Sequence, residues 1–391
     1  IANGLPITAA NCHNLVLDGM VHYVKTAHGI SKAFYEATTA LGNSEGTGQG
    51  SGGSPGIWLI YSDSMLKALG KHSKGMTFSA PNGKFKVHIN AIMYVDDNTP
   101  GVNNLHDPEL PLHTLFEQAT ITAQAWERIL FTSGGSLELS KCFTSVISWI
   151  WEKGVPRMKT PDEYTERVSI QHGNNPTLHT LKSIHPSCGE RMLGVRIAPD
   201  GNWNDEFNFR KKQAREFGRQ LAGANHSRST FNLAYRAKIR PAMTYPLSNT
   251  SMTIKQCKQI DRALLTSLLR TIGFATNLPR AVVHGTMDDG GLEIHKTFIE
   301  QGIQKTTTLA GQLRQFHRAG KLIMSELQWC QQIAGVRFPI LEKAALRIPH
   351  EEECWIIGIR SFFKEHDLSA HIEDIYIDPL QRHGDQHIMQ Y

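Results

Sequence analysis

Two aspartates stand side by side in "NAIMYVDDNTPG", residues 90–101, at the end of an apolar run. Adjacent carboxylates repel each other, so Asp96 beside Asp97 is an arrangement that a bound cation relieves. Carboxylate oxygens are hard ligands of the kind that Mg²⁺ prefers. Asp96, Asp97 and Asn98 are also turn formers, and "KFKVHINAIMYV" (84–95) before them reads as a strand. Phe85, Val87 and Ile89 alternate with Lys86 and His88; the run then becomes wholly apolar, as for a strand entering a core. The expected geometry is a hairpin with the carboxylates at its tip. Alone the pair is a weak signal, because turns are rich in Asp. A second pair in "MDDGG" (287–291) follows no apolar strand and reads as a turn.

Other segments could position or assist this pair. "NSEGTGQGSGGSPG" (43–56) is glycine-rich and runs into "IWLIYSDSMLKALG", whose spacing predicts a helix over 57–69 closed by Gly70. A glycine loop at a helix start can bring backbone N–H groups to phosphate. The plain alternative is a surface linker, against which Pro55 and Trp58 fit a first helical turn. Leu115, Ala119, Thr122, Trp126 and Ile129 predict an amphipathic helix over 112–131, stopped by Gly134 and Gly135. "SLELSKCFTSVISWIW" and "RMLGVRIAP" read as strands, residues 1–40 as mainly helical, and the chain from about Asp205 as helical. Lys211, Arg215 and Arg219 in "FRKKQAREFGR" recur at i, i+4 and i+8, one stripe that could follow a phosphate backbone or simply face water.

Composition sets bounds. The chain has 391 residues, enough for two or three subdomains, and no internal repeat. A net charge of +5 and a pI near 8.8 permit a polyanionic partner without demanding one. Six cysteines without CxxC spacing argue against a zinc knuckle or disulfide framework and for reduced thiols in an intracellular setting, cytoplasmic or nuclear. No apolar run is long enough to span a bilayer, and no signal peptide is visible at the N-terminus.

The ordered set "QGSGGSP", "YVDD", "GGSLELSKC" and "LGV" resembles the reverse transcriptases of retrotransposon-type elements over roughly residues 20–200. The likeness continues weakly through "NLPRAVVHGTMDDGGLEI". It implies an α+β fold: a right-hand polymerase palm, an antiparallel sheet of 84–98, 137–151 and 191–197 backed by helices, then a mainly helical thumb and a C-terminal extension. The implied domains are 1–203, 204–345 and 346–391. The implied activity is RNA-directed DNA polymerisation by two-metal nucleotidyl transfer with Mg²⁺, or Mn²⁺ in its place, on an RNA template, a DNA primer and dNTPs. By this resemblance Asp96 bridges the metals and Asp97 supports it. Tyr94 approaches the primer end; Gln49, Gly50 and Ser51 shape the nucleotide and template pocket. Lys141 protonates the leaving pyrophosphate, and Lys211, Arg215 and Arg219 hold the nucleic-acid backbone. The alternative reading is a catalytically silent relative that binds RNA or protein.

The family also uses an early aspartate on a neighbouring strand. Upstream of Gln49 only Asp18 is present, in "LVLDGMVHY", at the wrong distance. The expectation is an N-terminally truncated polymerase whose missing carboxylate falls just before Ile1. Residues 1–391 alone are then expected to incorporate no dNTP on a primed RNA template with Mg²⁺, and restoring the upstream reading frame to confer incorporation. Robust incorporation by residues 1–391 would overturn the truncation.

Overall fold

The computed structural model describes residues 7–8, 15, 21–26, 29–36, 54–105, 107, 110–222, 227–336, 338–348 and 353–373. The chain divides into two compact units, one of residues 1–76, 89–144 and 165–182, the other of 77–88, 145–164 and 183–391.

The first unit contains an antiparallel hairpin of Val21–Thr26 and Gly29–Glu36. The helical expectation for residues 1–40 is therefore corrected there. "VHYVKTAHGISKAFYE" is dense in β-branched and aromatic residues, and Gly29 takes a φ of 121° that suits the turn. Two helices follow the expected apolar spacing, α1 (Ser54–Leu69) and α2 (Leu112–Thr132). A small core of Met65, Leu69 and Trp126 joins them. α2 is also stapled to a hairpin of Ser169–His172 and Asn175–Thr180. Gln124 accepts from the Gln171 N–H at 2.7 Å, buried Glu127 accepts from the Gly173 N–H at 2.7 Å, and Arg128 donates to the Gly173 carbonyl at 2.7 Å. Gly173 has a φ of 58°, the left-handed turn that presents both of its backbone groups to α2.

The second unit is mainly helical: α3 (Asn204–Ala222), α4 (Arg228–Ala234), α5 (Arg240–Thr244), α6 (Ile254–Thr271), α7 (Arg280–His284), α8 (Thr297–Gln315), α9 (Arg318–Ala334) and α10 (Trp355–Glu365). A π turn, Tyr235–Ile239, links α4 to α5. α6 is the central element. Thr253 and Gln256 form a capping box at its start, and Cys257, Ile260, Leu264, Leu265, Leu268 and Leu269 give it a buried stripe at helical period. Gly218 of α3 lies against Ser267, with no room there for a side chain. Buried Asp261 accepts from the Thr297 N–H at 3.1 Å and from its hydroxyl at 2.5 Å, so a carboxylate of α6 satisfies the N-terminus of α8. The "MDDGG" segment is a turn, as expected, with Asp289 held by the Thr286 hydroxyl at 2.6 Å.

The mixed helix and strand character agrees with the sequence expectation; the single palm sheet does not form among the described residues. Residues 84–98 make two strands, Lys86–Ile89 and Ala91–Tyr94, broken at Asn90. Residues 137–142 hold a 3-10 turn, Leu139–Lys141, before the short strands Phe143–Ser145 and Trp149–Glu152. Ala91–Tyr94 pairs with Asp97–Pro100, Trp149–Glu152 with Val155–Met158, and Glu190–Met192 with Val195–Ile197, each across a two-residue turn. Local closure satisfies one edge of each strand cheaply, since a two-residue loop loses little chain entropy.

Buried titratable groups give the second unit a dependence on pH. Tyr235 accepts from the His295 backbone N–H at 2.8 Å, so its hydroxyl proton goes to His295 Nδ1, 2.5 Å away. The ring is neutral there, and burial drives its pKa down to about 4. An unfolded histidine titrates near 6.5. Between these values the unfolded chain binds more protons, so the contribution of His295 is complete above pH 6.5 and is lost as pH falls toward 4. The stability of the wild type relative to His295→Leu, from urea denaturation, is expected to drop by about 3 kcal/mol across that window. A pH-independent difference would refute this.

Candidate functional site

The 91–100 hairpin is positioned from one face. Strand alternation sends Ala91 and Met93 onto the Met65, Leu69 and Trp126 core, where they meet Ala125, Ile129, Leu130 and Leu137. The same alternation leaves Ile92 and Tyr94 outside, 60% and 62% exposed. The run therefore lies on the edge of a core and does not enter it, because only every second side chain finds apolar partners. Tyr94 pairs across the hairpin with Asp97, so both occupy the open face. One cluster thus collects the helix entered by the glycine-rich loop, the Asp-Asp hairpin, and the segment after Gly134–Gly135.

The tip departs from what stability alone would select. Val95 and Asp96 form the two-residue turn between Tyr94 and Asp97. Val95 has a φ of 53°, in the left-handed region, where a β-branched residue is a rare outlier. Such turns ordinarily place Gly or Asn at that position. Strain of this kind costs of order 1–3 kcal/mol and clusters at functional sites. Asp96 and Asp97 are exposed, and neither carboxylate has an ion pair or hydrogen bond among the described residues. Behind them, both amide atoms of Asn98 are buried without a hydrogen-bond partner among the described residues. Three separate penalties meet within four residues.

Other predicted residues fall in different surroundings. Lys141 ends the 3-10 turn and is exposed. Its neighbour Glu138 accepts from the Ser140 hydroxyl at 2.6 Å; that bond and the Ser140 N–H hold the carboxyl below its ordinary range, and Lys141 adds to the effect. Gln49, Gly50 and Ser51, with Asp18, lie outside the described residues. Lys211, Arg215 and Arg219 are on α3 in the second unit. Lys211 is turned onto α6, donating to Gln259 Oε1 at 2.7 Å, and Arg219 pairs with Glu216 at 3.2 Å, so Arg215 is the member of the stripe with neither a side-chain hydrogen bond nor an ion pair among the described residues.

The hairpin fits a hard divalent cation in the kind of donor it offers, carboxylate oxygens at an uncompensated tip. Its number of donors is short of a full shell, since Mg²⁺ takes about six oxygens. Among the described residues no group of three or more His, Cys, Asp or Glu side chains is gathered for a metal. Water and a phosphate ligand would supply the remainder. No helix among the described residues is long and apolar enough to cross a membrane.

The sequence reading passed over one charged residue that matters to α3. Arg210, 4% exposed, binds Glu206 at 2.5 Å, the Gly194 carbonyl at 2.8 Å and the Ala242 carbonyl at 3.0 Å. Its i, i+4 spacing from Glu206 was the available signal, but on a helix read as solvent-facing that pair looks like an ordinary surface one. Glu206 is fully buried and also accepts from the Arg196 N–H at 2.8 Å.

If the tip is strained as described, Val95→Gly should raise stability by about 1 kcal/mol in urea denaturation, because glycine adopts the left-handed turn freely. A loss of stability of the ordinary Val-to-Gly size would remove strain from the account. The chain matches no family model, no curated protein and no solved structure.

Proposed function

We propose that the first unit carries the cation-binding and nucleotidyl-transfer residues of an RNA-directed DNA polymerase of retroelement type, with Asp96 and Asp97 as carboxylate ligands. The observation that carries the reading is the hairpin tip: a left-handed Val95, with two carboxylates and a buried Asn98 amide that have no partner among the described residues. A chain under selection for stability alone would replace such a tip with Asn-Gly. Ordered resemblance of four motifs adds the class of chemistry, and Met93, just before YVDD, packs on the same Met65, Leu69 and Trp126 core as Leu137 of GGSLELSKC.

Each residue then has a physical task. Asp96, in the turn, and Asp97, at the first position of the returning strand, would hold Mg²⁺ or Mn²⁺ through their carboxylate oxygens. When bound, divalent ions of this class activate a primer 3′-hydroxyl and take up charge on the triphosphate. Tyr94, beside Asp97 on the open face, offers a flat apolar surface to the sugar or base at the primer end. Lys141 offers an exposed ammonium that can neutralise or protonate a departing pyrophosphate. RNA template, DNA primer and dNTPs are the partners of this reading.

Cleavage by a substituted ion tests the ligands without requiring turnover. Fe²⁺ added to the whole chain with ascorbate and peroxide should cut the backbone within residues 90–101, and excess Mg²⁺ should suppress the cut. Asp96→Asn and Asp97→Asn should remove it. In any form of the protein that incorporates dNTPs, Asp96→Asn should lower the rate at least about a hundredfold, the loss of several kcal/mol of charge stabilisation. Unchanged cleavage in both variants would refute the metal site. RNA binding that is indifferent to Mg²⁺ and to Asp96→Asn, with no incorporation, would favour a silent nucleic-acid-binding relative.

A further inference from the structure

In the second unit, positive charge is gathered around α3 and the hairpin that precedes it. Leu193 and Gly194 form the two-residue turn of that hairpin with φ values of 51° and 83°. Both are left-handed, the geometry of a type I′ turn, which fixes the register. Arg191 is thereby paired directly with Arg196 on one face, while Met192 and Val195 point to the other, where Val195 is 3% exposed. Like charges directly opposite across an antiparallel pair are destabilising.

No carboxylate among the described residues pairs with the guanidinium of Arg191 or of Arg196. Glu206 is already engaged by Arg210 and by the Arg196 backbone, and Asp205 accepts from the Gly189 N–H at 2.6 Å. The guanidinium groups of Arg196 and Arg210 instead lie 4.9 Å and 5.0 Å from the centre of the same Phe209 ring. Arg191, Gly194, Arg196, Phe209, Arg210 and Gln213 line a cavity of about 180 Å³. That is room for about six waters at ~30 Å³ each. Arg210 is fixed in place by Glu206, Gln213 Oε1 at 2.9 Å and two carbonyls, so it forms a rigid charged wall. Gln213 gives its oxygen to Arg210, which leaves its NH₂ group as a donor.

We propose that this cavity binds a phosphate dianion, either free phosphate or the terminal monoester of a nucleotide or oligonucleotide. Two guanidinium forks without carboxylate partners match a group with two charges and three peripheral oxygens. A backbone diester, with one charge and two free oxygens, leaves one fork unmatched. The proposal stands on the second unit alone and does not depend on the polymerase reading.

Thermal unfolding of the whole chain tests it, with inorganic phosphate titrated at constant ionic strength. Phosphate should raise Tm saturably in the wild type, and Arg191→Gln and Arg196→Gln should abolish the rise. Without phosphate, Arg191→Gln should be at least as stable as the wild type, because it removes one of two opposed cations. That separates lost binding from misfolding. A less stable Arg191→Gln in phosphate-free buffer would show that the pair is already compensated and would overturn the proposal. So would the absence of a saturable shift, or a shift that survives both substitutions. Oligonucleotides distinguish the sources. Binding of a 5′-phosphorylated strand about tenfold tighter than its 5′-hydroxyl counterpart, lost in Arg196→Gln, identifies a nucleic-acid end. Equal binding of the two strands, with the phosphate shift intact, identifies the free ion.

Discussion

Everything at the Asp-Asp tip depends on the packing of Ala91 and Met93 against Met65, Leu69 and Trp126. Burying one large apolar side chain contributes about 1.5–3 kcal/mol. A cluster this small holds the hairpin with little to spare. Against that support stand a left-handed Val95, and two adjacent carboxylates and a buried Asn98 amide without partners among the described residues. A group that sheds its strain would relax first here, so the persistence of all three in one turn is the strongest physical mark in the first unit.

The second unit is built differently. Its core draws side chains from every one of its helices, from Phe217 of α3 to Phe363 of α10. Within that core sit polar groups that choose one arrangement among many. Asp261 meets the start of α8, Glu206 and Arg210 lock α3 to the 190–197 hairpin and to α5, and Tyr235 orients His295. Lys305, fully buried, donates to the Ser251 hydroxyl at 2.6 Å, and burial lowers its pKa to about 7. Gly358 approaches that amine with no side chain between them. Buried polar pairs of this kind add little net stability over apolar replacements, but removing one partner is severe. They fix which helix faces which.

Local elements were legible wherever one residue's neighbours in sequence decide its state. α1, α2 and α6 follow apolar spacing and stop signals, and the turn at 287–291 follows Asp and Gly. The hairpin tip was legible too, because turn formers after an alternating run leave few other choices. The errors fall where partners decide. Residues 84–98 read as one strand, yet Asn90 divides them: Phe85 belongs to the core of the second unit, and Ala91 and Met93 pack on α1 and α2. Lys211 read as part of a free stripe, yet Gln259, 48 residues away, holds it.

Sequence alone determined the order of motifs, the adjacency of Asp96 and Asp97, and the period of the main helices, because these are properties of a chain with its nearest neighbours. Tertiary structure decided the rest. It brought Leu137, Met93 and Leu69 to one cluster, paired Arg191 with Arg196 across a hairpin and set Arg196 over Phe209, and buried Arg210 where the helix pattern suggested solvent. Those outcomes are set by which surfaces exclude water together, and pairing between distant segments is not written in the spacing of either one.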